Sequence, residues 1–505
     1  MINNVLVVGA GIMGAGIAQV AAQSMKKASH RVYLLDSRAG AAAQAKSKLQ
    51  ATLETLVSKE RITAQAASAA LDAITPIDAL DNITDQLSSI DLVIEAIVED
   101  LAAKRKLFQE LEAQVRPDCI LASNTSSISI TAIANGLKHP NRMVGMHFFN
   151  PVPLMKLVEV VSGLQTDTSV VASITQLSST WGKIPVHAKS TPGFIVNRIA
   201  RPYYAETLAL LQEQAATPAV IDACLRGAGF RMGPCELIDL IGHDTNFAVT
   251  CSVYEANFYD KRYVPSLVQR EMVDGGLLGR KSGYGFFEYG PNAIKPVVLP
   301  FETTMTTEQL GQLVVHGAGH IADRFAKGLT DHHAIFKRDE NSPWIGVSID
   351  GNTVQVSNGQ TASAIAKKSS AKQCAVIDLP LSPEPSIALA FSVSANCLPT
   401  WPAQVANLLA LLDLNPQQIR DVPGLIVTRT IAMLINEAGD AVHQGVCSSA
   451  DADAAMKLGV NYPAGPFEWL GQWNLQSVVD VLNVLDRHYR GERYRVSPWL
   501  LERSI

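Results

Sequence analysis

The sequence predicts an α/β protein in which a doubly wound, mostly parallel sheet is followed by a mostly helical domain, a small α/β segment and a second copy of the helical domain. Short β-branched runs alternate with helical periodicity over the first part of the chain. A glycine-rich turn joins the first strand to the first helix, and a motif near residue 191 returns near residue 422.

Asn4 to Val8 (NVLVV) is a buried parallel strand ending at glycine. Gly9-Ala-Gly11-Ile12-Met13-Gly14 follows, then an alanine- and glutamine-rich run to Ala28 that reads as helix. His30 to Leu35 is a second strand, closed by Asp36. Asp91 to Ala96 and Cys119 to Ala122 continue the strand pattern, with helical segments such as Ala102 to Ala113 between them. Near Ser190 the periodicity turns helical, from Val196 through Gln214 and from Ala219 to about Tyr259. Residues 291–418 carry strand-like runs at Trp344 to Ile349, Ala375 to Leu379 and Ile387 to Val393, and read as a small α/β domain without a glycine-rich phosphate loop. The repeat then begins: Thr191-Pro-Gly-Phe-Ile-Val-Asn-Arg198 returns as Val422-Pro-Gly-Leu-Ile-Val-Thr-Arg429, with Thr428 in place of Asn197. Four domains are expected, over 1–189, 190–290, 291–418 and 419–505, the last non-catalytic.

The composition agrees with an enzyme of ordinary surface. The 505 residues carry a net charge of -5 and 18% charged and 47% hydrophobic residues, which excludes both a disordered chain and a polybasic nucleic-acid binder. Seven cysteines, odd in number and never spaced as C-x-x-C, argue against a disulfide framework or a zinc cluster and for a reducing, cytoplasmic compartment. The apolar run Val5 to Ala22 lacks a basic flank and holds glycines at ordered spacing, so it is not a signal peptide, and no stretch has the length of a membrane span.

The glycine turn has the context that its chemistry needs. Gly9 permits the tight turn, Gly11 lets backbone N–H groups approach a pyrophosphate, and Gly14 allows close packing of helix on strand, in the manner of a Rossmann-type unit. Asp36 lies where an acid hydrogen-bonds the adenine ribose, and its charge repels a 2′-phosphate, so NAD is favoured over NADP.

Chemistry belongs at the carboxyl ends of the strands. There the sequence offers Ser123-Asn-Thr-Ser-Ser127, Gly145-Met-His-Phe-Phe-Asn-Pro-Val-Pro153 and Leu157-Val-Glu-Val-Val161. Asn150 to Pro153 is turn chemistry between two apolar strands, which sets His147 opposite Glu159 about residue 153. A His facing a Glu can act as a base whose tautomer the carboxylate fixes. No second His or Cys lies at metal-ligand spacing, so no metal is expected.

Residues 4 to 290 resemble an L-3-hydroxyacyl-CoA dehydrogenase through GAGIMGAGIAQ, EAIVED with Lys104, SNTSS, GMHFFNPVPLMKLVEVV, TPGFIVNR, MGPCELIDLIG and GRKSGYGFF. The extension resembles long bacterial forms with a duplicated helical domain, such as the 3-hydroxybutyryl-CoA and 3-hydroxyadipyl-CoA dehydrogenases. The resemblance implies that His147 is the general base, that Glu159 orients it, and that Ser126 and Asn197 hold the substrate oxygen, in fatty-acid or phenylacetate-type acyl-CoA catabolism. Glu99, Lys104, Ser126, Asn150 and Lys281 would contact NAD together with Gly9, Gly11, Ile12, Met13, Gly14 and Asp36, and Lys59 and Arg61 are candidates for CoA. Short members of the family dimerise through the helical domain, so the second copy is expected to replace that partner, a homo-oligomer being the other possibility. The competing readings are a non-catalytic NAD-binding relative and another hydroxy-acid dehydrogenase of similar architecture. The latter typically uses a lysine base, and the presence of all four proposed catalytic residues weighs against the former.

Overall fold

The computed structural model describes residues 2–25, 30–294, 296–369 and 371–504. The chain divides into two compact units, one of residues 1–198 with 444–460, the other of residues 199–443 with 461–505.

The first unit is built on a sheet of β1 (Asn4–Val8), β2 (Arg31–Leu35), β3 (Ile74–Ile77), β4 (Leu92–Glu95), β5 (Ile120–Ser123), β6 (Met143–Phe148), β7 (Leu157–Ser162) and β8 (Ile184–Lys189). Their spatial order is 3-2-1-4-5-6-7-8. β1 to β6 pair in parallel, whereas β7 meets β6 antiparallel and β8 runs parallel to β7. The central strands are buried on both faces, which is why they read as unbroken apolar runs. The strand order reverses between β1 and β4, the place where such sheets open a crevice for ligands. The first helix, Ile12–Gln23, is shorter than the expected run to Ala28, and Lys26 to Ser29 lie outside the described residues. A segment of the repeat also belongs to this unit: the helix Ser449–Gly459 packs on β7 and β8, and the Lys189 N–H donates to the Val446 carbonyl at 2.9 Å.

In the second unit the expected helical stretches are subdivided. The stretch 196–214 becomes Val196–Ile199, of which all but Ile199 belongs to the first unit, and Arg201–Gln212, with Pro202 in the first turn of the latter. The stretch 219–259 becomes Pro218–Gly227, Pro234–Ile241 and His243–Ala256. Pro234 starts a new helix, and Gly242 (φ 98°) adopts a backbone conformation that ends one. The helix Val427–His443 of the repeat packs along Arg201–Gln212, its counterpart in the first copy. A buried network fastens them: Glu206 accepts from Arg429 Nε at 2.7 Å, from Arg493 Nη2 at 2.8 Å and from the Tyr494 hydroxyl at 2.9 Å. Burial alone would push the Glu206 carboxyl up, but Arg493 and Arg429 hold it below the ordinary range.

The small α/β segment is a seven-stranded sheet of β9 (Leu313–His316), β10 (Phe336–Asp339), β11 (Gly346–Ile349), β12 (Asn352–Val356), β13 (Cys374–Ile377), β14 (Ile387–Val393) and β15 (Leu414–Gln418), in the order 10-9-11-12-13-14-15. A short glycine turn is present between the first strand and the first helix of this segment. Gly317-Ala-Gly319 links β9 to the helix His320–Asp331, which returns to the parallel β10. The Gly317 N–H donates to the Asp339 carbonyl at 2.9 Å as the Gly9 N–H donates to Leu35 at 2.7 Å, so Glu340 stands where Asp36 stands in the first sheet.

The far end of this sheet repeats β6 to β8. β13 and β14 are antiparallel, and β14 and β15 parallel. Leu157 pairs with Ile184, and Ile387 with Leu414, at the same separation in sequence. Carrying the repeat's offset from Val186 to Gln417 sets Ala390 in the place of Glu159 and Asp378 in the place of His147. Asp378 is fully buried and accepts from the backbone N–H groups of Ile426, Val427 and Thr428 and from the Thr428 hydroxyl. Burial pushes its carboxyl above the usual value despite these donors.

Candidate functional site

At the end of β1, Gly9 takes φ 103° and a Cβ there would lie 2.4 Å from the Ala96 carbonyl oxygen, so no side chain fits. A Cβ on Gly14 would lie 1.7 Å from the Gly9 carbonyl oxygen, which is the close approach of helix to turn. A Cβ on Gly11 would meet nothing within 4 Å, so the amides at the start of the helix Ile12–Gln23 face open space. Asp36 is buried and accepts from the Ala10 N–H at 2.9 Å and from the Arg38 N–H at 3.0 Å. Burial pushes its carboxyl up, yet the Arg38 guanidinium and the two amides hold it below the usual carboxylate range. An anion cradle with an ionised acid at the second strand fits a dinucleotide whose adenine ribose has free hydroxyls.

Beside this turn, a cavity of about 380 Å³ is lined by Met13, Ile97, Glu99, Lys104, Asn124, Ser126, His147, Phe149, Asn150 and Asn197, with Ala96 and Phe148 completing the wall. The register of β6 and β7 sets His147 directly opposite Glu159. His147 Nδ1 lies 2.6 Å from Glu159 Oε2, and both side chains are almost fully buried. Glu159 is an acceptor, so Nδ1 is assigned the proton and Nε2 is left as the basic nitrogen. The rings of Phe149 and Phe194 pack on the imidazole with centroids 4.6 and 5.9 Å away. The second carboxylate oxygen of Glu159 accepts the N–H groups of Ile195 and Val196, each at 3.0 Å, at the start of the helix Val196–Ile199 that carries Asn197. One carboxylate therefore fixes both the imidazole and the turn that presents Asn197.

The opposite wall is organised by Glu99. Its Oε1 accepts from the Thr125 hydroxyl at 2.7 Å, the Ser126 N–H at 3.0 Å, and the Ser127 N–H and hydroxyl at 3.2 and 3.0 Å. Burial pushes Glu99 up, but the Thr125 hydroxyl and the Lys104 ammonium bring it below the usual range. Lys104 is 1% exposed and bridges Glu95 at 2.6 Å and Glu99 at 3.2 Å.

Two residues of this site escaped the sequence reading. Asn124 accepts the Phe148 N–H at 2.9 Å and so ties the loop after β5 to β6. Glu95 is fully buried, and its signal was an acid within the apolar run Asp91 to Ala96. Asn150 stands exposed at the rim. Lys59 and Arg61 are exposed beyond the helix Ala41–Ser58 and are not among the residues lining the cavity. Lys281, in the second unit, is half-exposed and paired with Asp244. Among the described residues no group of three His, Cys, Asp or Glu side chains could hold a metal ion.

Three family models match the chain. The 3-hydroxyacyl-CoA dehydrogenase NAD-binding domain covers residues 4–191, and the C-terminal domain of the same family covers 193–289 and again 424–503. The 3-hydroxybutyryl-CoA dehydrogenase reduced Rossmann-fold domain covers 354–423. The chain is 42% identical over 510 residues to the 3-hydroxyadipyl-CoA dehydrogenase of Escherichia coli K12, covering 100% of this chain and 98% of that one. It is 39% identical over 293 residues to the mitochondrial hydroxyacyl-coenzyme A dehydrogenase of Sus scrofa, 57% of this chain and 92% of the relative. Among solved structures, a 3-hydroxybutyryl-CoA dehydrogenase of Escherichia coli K12 superposes with a TM-score of 0.88 at 40% identity, covering 100% and 98% of the two chains.

Proposed function

Because this chain belongs to the 3-hydroxyacyl-CoA dehydrogenase family and carries out NAD-dependent oxidoreduction of 3-hydroxyacyl-CoA, we propose that His147 is its general base, with Glu159, Asn197 and Ser126 completing the catalytic group. The observation that supports this is the buried His147–Glu159 pair at 2.6 Å on the wall of the cavity that also holds Ser126 and Asn197. When bound, NAD supplies the hydride acceptor. His147 Nε2 takes the proton of the 3-hydroxyl group as the carbonyl forms, and Glu159 stabilises the imidazolium that results. Asn197 and the Ser126 hydroxyl hold the oxygen. Gly9, Gly11, Ile12, Met13, Gly14 and Asp36 hold the adenosine and pyrophosphate end, and Glu99, Lys104 and Asn150 the remainder. Lys59 and Arg61 are offered as contacts for CoA.

The test is NADH oxidation with acetoacetyl-CoA and 3-oxoadipyl-CoA, since the names of full-length relatives point to both acyl chains. His147→Gln should lower kcat by at least about a hundred-fold while leaving NADH binding within about two-fold of the parent. Retention of most activity in that variant would reject the base assignment. We further propose a cytoplasmic enzyme, on the support of seven free cysteines, in which the repeated helical domain takes the place of a dimer partner. No helix among the described residues is long and apolar enough to cross a membrane.

A further inference from the structure

Glu95 is the last residue of β4 and is fully buried, yet three donors converge on its carboxylate. Oε1 accepts from the Ile97 N–H at 2.7 Å and from the Lys104 ammonium at 2.6 Å, and Oε2 accepts from the Ser123 hydroxyl at 2.6 Å. Lys104 in turn reaches Glu99, which gathers the loop carrying Ser126. Stability alone does not account for this arrangement, because a buried ion pair contributes little over apolar residues of the same size. The cluster holds two carboxylates and one ammonium, a net charge of -1, and Glu99 and Lys104 face the same cavity as His147. The nicotinamide ring is positively charged when oxidised and neutral when reduced, so a net negative wall stabilises one redox form over the other.

We propose that Glu95 is a positioning residue that clamps Lys104 against Glu99 and, through the net charge of this cluster, biases the cavity toward the oxidised dinucleotide; the inference rests on the cavity being the dinucleotide site proposed above. Glu95→Gln keeps the size of the side chain and an acceptor for Ile97 and brings the cluster to neutrality. Glu95→Asp keeps the charge.

The experiment is to measure NADH affinity by fluorescence titration and NAD affinity by calorimetry on the full chain and its variants. Glu95→Gln should weaken NAD binding about five-fold while NADH binding changes by less than about two-fold. Glu95→Asp should keep the ratio of the two affinities within about two-fold of the parent. Lys104→Met, which drives the cluster charge the other way, should move the ratio in the opposite direction, and it decides the matter if Glu95→Gln does not fold. Parallel weakening of both nucleotides, an unchanged ratio in Glu95→Gln, or a Lys104→Met shift in the same direction as Glu95→Gln would overturn the proposal. A parent protein that bound neither nucleotide would instead reject the reading of the cavity.

Discussion

Asp36, proposed to hold the adenine ribose, also holds a neighbouring cation. Its carboxylate engages the Ala10 amide of the glycine turn and also the Arg38 guanidinium, whose Nε lies 3.1 Å away. The Arg38 side chain is 75% exposed and is held to Asp36 by this pairing. Asp36→Ala should weaken NADH binding about ten-fold and raise the relative use of NADPH, because the freed guanidinium can meet a 2′-phosphate. The check is the ratio of kcat/KM for the two cofactors, and an unchanged ratio would show that Asp36 serves only the turn.

Among the elements, the helices Pro218–Gly227 and Pro234–Ile241 are clasped by Asp222, which accepts the Cys235 N–H at 2.8 Å and the Glu236 N–H at 2.9 Å. Burial pushes the Asp222 carboxyl from 3.8 up to about 6, in spite of these amides. The folded state therefore keeps a proton that the unfolded chain releases. Its stability should fall as pH rises from about 4 to about 6, by up to about 3 kcal/mol, with the full cost present above pH 6. Denaturant unfolding across that window should show the fall, and Asp222→Asn should remove that part of the slope. These helices also show what the sequence made legible. The glycine turn, the His147–Glu159 register and the repeat could be read because each is a local pattern of residue types. The divisions of the helical stretches and the turn at Gly317 were missed. The first depend on a proline and a single glycine dihedral, and the second on β9, whose four residues Leu313 to His316 are too short for periodicity to declare. Glu95 and Asn124 were missed because their partners lie on neighbouring strands and loops.

Across the whole molecule, the second half repeats elements of the first with other residues at the candidate site positions. Asp378 stands for His147, Ala390 for Glu159 and Thr428 for Asn197, and Glu340, the counterpart of Asp36, is engaged by Arg338 at 3.1 Å. One NADH should bind per chain. Titration of the full chain by fluorescence, with protein concentration fixed independently, should give a stoichiometry near one, and a value near two would show that the turn at Gly317 still binds nucleotide. Duplication within one polypeptide has a further consequence at the matched arginines. In a symmetric pair of identical chains, a single codon writes both sides of every contact, so the two sides cannot be changed separately. Here the positions are written twice: Arg198 donates to Gln444 at 2.8 Å, whereas Arg429 is sealed against Glu206 at 2.7 Å. Tandem copies thus escape the self-complementarity that twofold symmetry imposes, and each arginine is free to drift, or to be redesigned, without its twin.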